Sequence, residues 1–171
     1  MKRCLALLVW IYWTMVPSGA RAQALYGQFS ASPWTNLVGT NYLYGATAGA
    51  LIDGPLLFGH MRLSGDVQAR FVGTSVERYD GAAVGPRCSV PLRHGIAPYG
   101  EFLVGFARYS NRNEGGATTD ATVQINAGIA KRISAHWDVT ADYSYAQYYA
   151  LSGEYNPKTY SVGTIFHLVK R

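Results

Sequence analysis

Charge is what this chain has little of. Only 15% of its 171 residues are Asp, Glu, Lys or Arg, against roughly a quarter in an ordinary soluble domain. Cysteine is scarcer still, with Cys4 and Cys88 alone. Cys4 falls in the leader described below, so no intramolecular disulfide staples the mature fold. After the leader no run approaches 18 continuous apolar residues, which excludes helical membrane spans. There is no His/Cys cluster at zinc spacing and no phosphate-cradling glycine motif, so neither a metal nor a cofactor is expected. Nor is there a Lys/Arg run or basic stripe after the leader, and no nucleic-acid partner is expected.

The leader is what the first residues supply. Met1-Lys2-Arg3 is basic, Cys4–Val16 is apolar, Pro17-Ser18-Gly19 breaks the run, and Ala20-Arg21-Ala22 fits a small-x-small cleavage site before Gln23. This is the pattern of a secretory signal peptide over residues 1–22, leaving one domain over 23–171. Its apolar core is shorter than the roughly 20 residues a permanent anchor needs. Removing Lys2, Arg3 and Arg21 lowers the formal charge from +5 to +2. Stability must then come from strand pairing and burial in something apolar.

Glycine (19) and tyrosine (13) are abundant, as twisted strands, tight turns and interfacial aromatic belts require. The stretch Trp137–Lys170 shows how they are used. Val139, Ala141, Tyr143 and Tyr145 alternate with Asp138, Thr140, Asp142 and Ser144. Tyr160, Val162, Phe166 and Leu168 alternate with Ser161, Gly163 and His167, while Thr164 and Ile165 break the pattern. The intervening Ala150–Pro157 carries the turn formers Ser152-Gly153-Glu154 and Asn156-Pro157. Two half-apolar strands joined by a polar turn predict a hairpin. A hairpin facing lipid must belong to a closed barrel, because open edges cannot persist in hydrocarbon.

The same rhythm runs through Ala24–Ser32, Asn41–Ile52, His60–Gly73, Ala83–Arg93, Pro98–Ser110 and Asp120–Arg132. In His60–Gly73, Met61, Leu63, Val67, Ala69 and Phe71 share one face, and Arg62, Ser64, Asp66, Gln68 and Arg70 the other. That many polar alternates are costly to bury in a sandwich core, yet suit a polar barrel interior. Pro86 and Pro91 make Ala83–Arg93 the least regular run. Eight runs predict an all-β fold, an eight-stranded antiparallel up-and-down transmembrane β-barrel. Polar connections near Pro33–Asn36, Thr74–Ala82, Asn111–Thr119 and Ala150–Pro157 are expected outside. The shorter ones near Asp53–Gly59, Arg93–Ala97 and Ser134–His136 are expected on the periplasmic side. An interior charge network of Arg62, Asp66, Arg70, Arg87, Glu101 and Asp142 is expected, three arginines against three carboxylates. Gly45, Gly49, Gly105, Gly128 and Gly163 leave room for local voids among them. An aromatic girdle is expected from Tyr42, Tyr44, Trp137, Tyr143, Tyr145 and Tyr160.

The leader, the eight alternating runs, and stretches such as Ala97-Pro98-Tyr99-Gly100-Glu101 and Thr159-Tyr160-Ser161-Val162-Gly163-Thr164 resemble the small outer-membrane β-barrel family of OmpA-type and opacity-type barrels. The resemblance covers the whole mature chain and rests on pattern more than on motif. It implies an outer-membrane location, lipid contact, a monomeric barrel and assembly by the barrel-assembly machinery. One departure stands out. Such barrels usually finish on a terminal aromatic, whereas here Phe166 is followed by His167-Leu168-Val169-Lys170-Arg171.

Some small outer-membrane barrels are enzymes, and the lipid A deacylases carry a His-x-Ser pair. Here His60, His94, His136 and His167 are followed two residues later by Arg62, Ile96, Asp138 and Val169. The pair is absent, and His136-Trp137-Asp138 reads as an interfacial Trp beside an exposed His. No catalytic residue is assigned. The expected role is therefore non-enzymatic: a plugged barrel that is structural or meets a ligand through its surface loops. The competing reading is a lipid-active enzyme or a narrow channel.

Overall fold

Each run of alternating residues makes a strand with two unlike faces, and such strands satisfy every backbone group only by pairing in a closed circle. The structure, a computed structural model, describes residues 23–168 except 37–38, 58–59, 113–115 and 149–156. The signal peptide expected over residues 1–22 lies outside them. So do the turn formers Ser152-Gly153-Glu154 and Asn156. Among the described residues eight strands close a barrel in sequence order, each antiparallel to its neighbours. They are β1 (Ala24–Asn36), β2 (Gly39–Leu57), β3 (Met61–Gly73), β4 (Glu77–Ser89), β5 (Ile96–Asn111), β6 (Gly116–Arg132), β7 (Trp137–Tyr148) and β8 (Lys158–His167). Pairing of Ala24 with His167 and Ala31 with Tyr160 joins first strand to last.

The barrel is inside out relative to a soluble domain. Leu25, Phe29, Val67, Phe71, Phe102, Val104, Phe106, Ile125, Ile129 and Val162 all point outward and stand exposed. Ser30, Thr47, Ser64, Asp66, Gln68, Arg87, Glu101, Gln124, Asn126, Thr140 and Ser161 are buried within. Water would reverse that arrangement, and a hydrocarbon surround explains it. Thr164 and Ile165 continue the alternation of β8, Thr164 outward and Ile165 buried inside. Size of side chain hid the pattern there, because an interior that is partly apolar accepts isoleucine.

The strands are longer than the apolar alternation suggests. Thr74–Ala82 is expected as a loop, yet β4 begins at Glu77, with Gly73 opposite Arg78. Asn111–Thr119 is expected as a long loop, yet Asn111 pairs with Gly116 across a four-residue connection. Pro33–Asn36 likewise belongs to β1, with Asn36 paired to Gly39. Along these ends the outward positions turn polar, with Arg78, Asp80 and Arg108 in place of lipid-facing hydrophobics, so the apolar alternation lapses while hydrogen bonding continues and Tyr79 stays buried inside. The outer connections after β1, β3 and β5 are consequently as short as those at the other end. The β7–β8 connection, residues 149–157, is the longest. That length agrees with the expectation that the end opposite β1's start and β8's finish is the outer one.

Two irregularities lie at the periplasmic end. β2 continues past Asp53-Gly54-Pro55, expected as a turn, through a register shift between Asp53 and Leu56. The β4–β5 connection holds His94 at φ 60° and Gly95 at φ 71°, and the strained His94 carbonyl accepts a bond from Lys131 Nζ at 2.5 Å. Pro86 pairs with Gly65 on β3, while toward β5 the ladder passes from Val84–Val104 to Arg87–Glu101 without changing register.

Candidate functional site: the barrel interior

The interior is built in layers, because each strand contributes every second residue to it. Nearest the periplasmic end, Ala24, Leu51, Ala130 and Ile165 pack with the rings of Tyr26 and Tyr99 into a dry apolar layer. Both tyrosines lie opposite glycines, Tyr26 across from Gly49 and Tyr99 across from Gly128. A Cβ at either glycine would strike the tyrosine ring. These glycines are seats for aromatic side chains, an arrangement known to stabilise strand pairs. The local voids expected at them are therefore filled. At Gly45, Gly105 and Gly163 the carbonyl of the neighbouring strand, from Phe71, Ala82 and Gly27, stands where a side chain would begin.

The hydroxyls of the same two tyrosines reach up into a polar middle layer. Tyr26 donates to Asp66 Oδ1 at 2.9 Å and lies 3.2 Å from Gln68 Oε1. Tyr99 donates to Asp142 Oδ2 at 3.1 Å, and Gln28 Nε2 donates to the same carboxylate and to Thr140. The Arg87 guanidinium lies 3.6 Å from the centre of the Tyr99 ring and 3.1 Å from Glu101 Oε1. Glu101 Oε2 accepts from Asn126 at 2.6 Å, and Gln124 supports Asn126 in turn. Higher in the layer, Arg70 donates to Thr47 and Ser144, and Ser30 bridges Thr47 and Ser161.

Toward the outer end Leu43, Val72 and Tyr79 form a second apolar layer, with Tyr109 against it. Tyr79 and Tyr109 stand 4.9 Å apart, and Glu77 accepts from Tyr109 at the mouth. Between this layer and Arg70 lies a cavity of about 30 Å³, edged by Ser32, Gln68, Thr122, Gln124 and Thr159. It has room for little more than water.

No family model matches the chain, and no curated protein does. Solved structures do. Neisserial surface protein A superposes with a TM-score of 0.66 at 12% identity, over 88% of this chain and all of that one. Ail, the attachment invasion locus protein of Yersinia pestis, gives 0.58 at 11%, over 85% of this chain and 98% of that one. The outer membrane enzyme PagL gives 0.53 at 15%, over 82% and 99%. The fold is that of the small outer-membrane β-barrels.

Within this outer-membrane barrel fold the six expected network residues divide into two groups. Asp66, Arg70, Arg87, Glu101 and Asp142 share the middle of the interior. Arg62 stands apart near the periplasmic rim, where it pairs with Asp53 at 3.0 Å. Its partner came from a segment expected as a turn, and only the continued strand brings the two together. The middle layer thus holds three carboxyl groups against two guanidinium groups. Asp66 is fully buried, and its Oδ2 has no hydrogen-bond partner among the described residues. Arg87 and Glu101 lie within electrostatic range of it.

The girdle residues Tyr42, Tyr44, Trp137, Tyr143 and Tyr160 point outward and are exposed, and Tyr145 is half-buried on the same face. Tyr42 stacks near Tyr44, Tyr143 meets Tyr160 at 5.3 Å, and Trp137 meets Phe166 at 4.9 Å. Trp137 marks the periplasmic rim and the tyrosines the outer half. A cluster that spacing did not reveal lies just inside Trp137. His167 Nε2 is 2.8 Å from Asp138 Oδ2, and Arg132 approaches the other oxygen at 3.6 Å. His136, read as an exposed residue, is half-buried with Nδ1 2.9 Å from the His167 carbonyl. The pairing follows from β7–β8 register, since Trp137 lies opposite Phe166. Its only sequence signal was that Asp138 and His167 both fall on inward positions.

Proposed function

We propose that this chain is a non-enzymatic barrel of the outer membrane, delivered by the residue 1–22 signal peptide, that meets partners through its outer hairpin ends. The observation carrying this reading is the interior itself. Among the described residues, an apolar layer at each end brackets a hydrogen-bonded polar middle, leaving space for water but not for a lipid chain or sugar. Chemistry is disfavoured by the same geometry. His167 is buried beside Asp138, and among the described residues no hydroxyl or thiol nucleophile is bonded to it. The interacting parts are then the β-ribbons that rise above the lipid and the β7–β8 connection. Ail has been solved with the heparin analogue sucrose octasulfate, which makes a sulfated polysaccharide a sensible first probe. Lipid and the barrel-assembly machinery complete the expected partners, and the barrel acts as a monomer.

The test uses cells displaying the full chain and cells carrying R112Q/K158Q, which neutralise exposed basic side chains at the outer hairpin ends. Retention of the first cells on heparin-coated plates, and loss of it in the second, is the expected result. Release of fatty acid from lipid A or phospholipid by the purified folded barrel would overturn the reading in favour of a lipid-active enzyme.

A further inference from the structure

The aromatic girdle does not run evenly around the outer rim. Tyr42 and Tyr44 on β2, and Tyr143 and Tyr160 on β7 and β8, supply it on one side. On β4–β5 the corresponding outward positions are arginines. Arg78 and Arg108 both point away from the barrel axis, and both are exposed. Register places Asp80 between them: Phe71 lies opposite Asp80, and Asp80 opposite Arg108. Asp80 takes only the Nε edge of Arg78, at 2.8 Å, which holds that guanidinium beside its neighbour with its terminal amino groups free to bind. Arg108 has no ion-pair partner among the described residues. The patch carries a net single positive charge.

Its height on the wall decides what that charge meets. Two residues below Arg108 is Phe106, which at 67% is the most exposed large apolar side chain among the described residues. Along a strand that separation is about 7 Å. Phe106, Val104 and Phe102 continue downward as the lipid-facing strip of β5. The arginines therefore stand where hydrocarbon gives way to headgroups, the layer in which basic side chains meet anionic lipid. Guanidinium groups suit phosphate because their planar N–H donors engage two oxygens at once.

We propose that Arg78 and Arg108 form a binding site for the phosphate of an outer-leaflet lipid headgroup, with the acyl chains lying along Phe106 and Phe71. The site rests on the orientation that places the hairpin ends outside, and Lys131 serves as the control at the opposite rim. Lys131 is exposed on the outward face of β6 at the opposite end of the lipid-facing strip.

The barrel is reconstituted in phosphatidylcholine vesicles containing a minor fraction of phosphorylated lipid A. The readout is the temperature at which its folded gel band is lost. Phosphorylated lipid A should raise that temperature by several degrees, whereas dephosphorylated lipid A or inorganic phosphate should leave it unchanged. R78Q/R108Q should abolish the shift and K131Q should keep it. Arg78 and Arg108 lie outside the core and K131Q gives up the bond to the His94 carbonyl, so the variants should fold and each shift is read against the same variant without lipid A. An equal shift in R78Q/R108Q, no shift in the unaltered chain, or a shift reproduced by dephosphorylated lipid A would overturn the site. A shift reproduced by inorganic phosphate alone would show a free-anion site instead. Loss of the shift in K131Q with retention in R78Q/R108Q would place the phosphate site at the other end of the barrel and overturn this one.

Discussion

Arg87 ties three parts of the middle layer together: it pairs with Glu101, covers the Tyr99 ring and faces the Asp66 side of the lumen. Its side chain is 7% exposed and that of Glu101 4%. Removing one member of such a pair strands the other charge in a dry space. Arg87→Ala should therefore destabilise the folded barrel by about 3–5 kcal/mol, measured by urea unfolding in lipid vesicles. Asp66→Asn should behave in the opposite sense. It keeps the acceptor for Tyr26 and removes a buried negative charge that faces the Glu101 carboxylate, so stability should hold or rise by about 1 kcal/mol. A large loss of stability in Asp66→Asn would mean that the carboxylate is needed as a charge. Alternation alone told that Arg87, Glu101 and Asp66 face inward. It could not tell which pairs form, because partners across a lumen depend on register around the whole circle. Arg62 shows the limit: it has the same parity as Arg70, yet it lies at a different height and pairs with Asp53.

At the scale of the strand, β3 gives the sharpest test of faces. Val67 points outward and is 46% exposed, whereas Gln68 is buried. Val67→Arg should cost about 2–4 kcal/mol if it lies at mid-depth, and Gln68→Arg should be milder because Asp66 and Glu101 lie inside. Equal losses in vesicle refolding, or a larger one at Gln68, would contradict the assignment. The outer ribbons invite a second test. Replacing residues 112–115 by Asn-Gly should leave folding intact, since Asn111 and Gly116 already pair and a two-residue turn can close them. Failure of that variant to insert would show that the connection supports the barrel. The lipid-facing parts of the strands were legible because their two faces meet unlike surroundings. The ribbon ends of β4, β5 and β6 were not, because polar residues such as Arg78, Asp80, Arg108 and Thr119 stand outward there and mask the inward placing of Tyr79 and Tyr109. The tyrosine seats at Gly49 and Gly128 also escaped notice, since a glycine in a strand pattern does not name the side chain that covers it.

For the molecule as a whole, the small-barrel architecture was legible because eight short alternating runs without a helical span leave few ways to satisfy the backbone. The sealed interior was legible only in part. Charge pairing was expected to close it, but Leu43, Leu51, Val72, Ile165 and the two tyrosine rings supply apolar layers above and below the charges. The barrel should resist sodium dodecyl sulfate until boiled and shift its gel mobility on heating. The central claim, a lumen closed by these three layers, is tested most directly by planar-bilayer recording on the purified protein. Eight strands leave an interior that side chains fill, whereas aqueous channels open in barrels of about 16 strands. A closed lumen predicts a quiet bilayer with no stable unit steps. Large, long-lived steps whose ion preference changes in Arg70→Ala would contradict it and establish a channel.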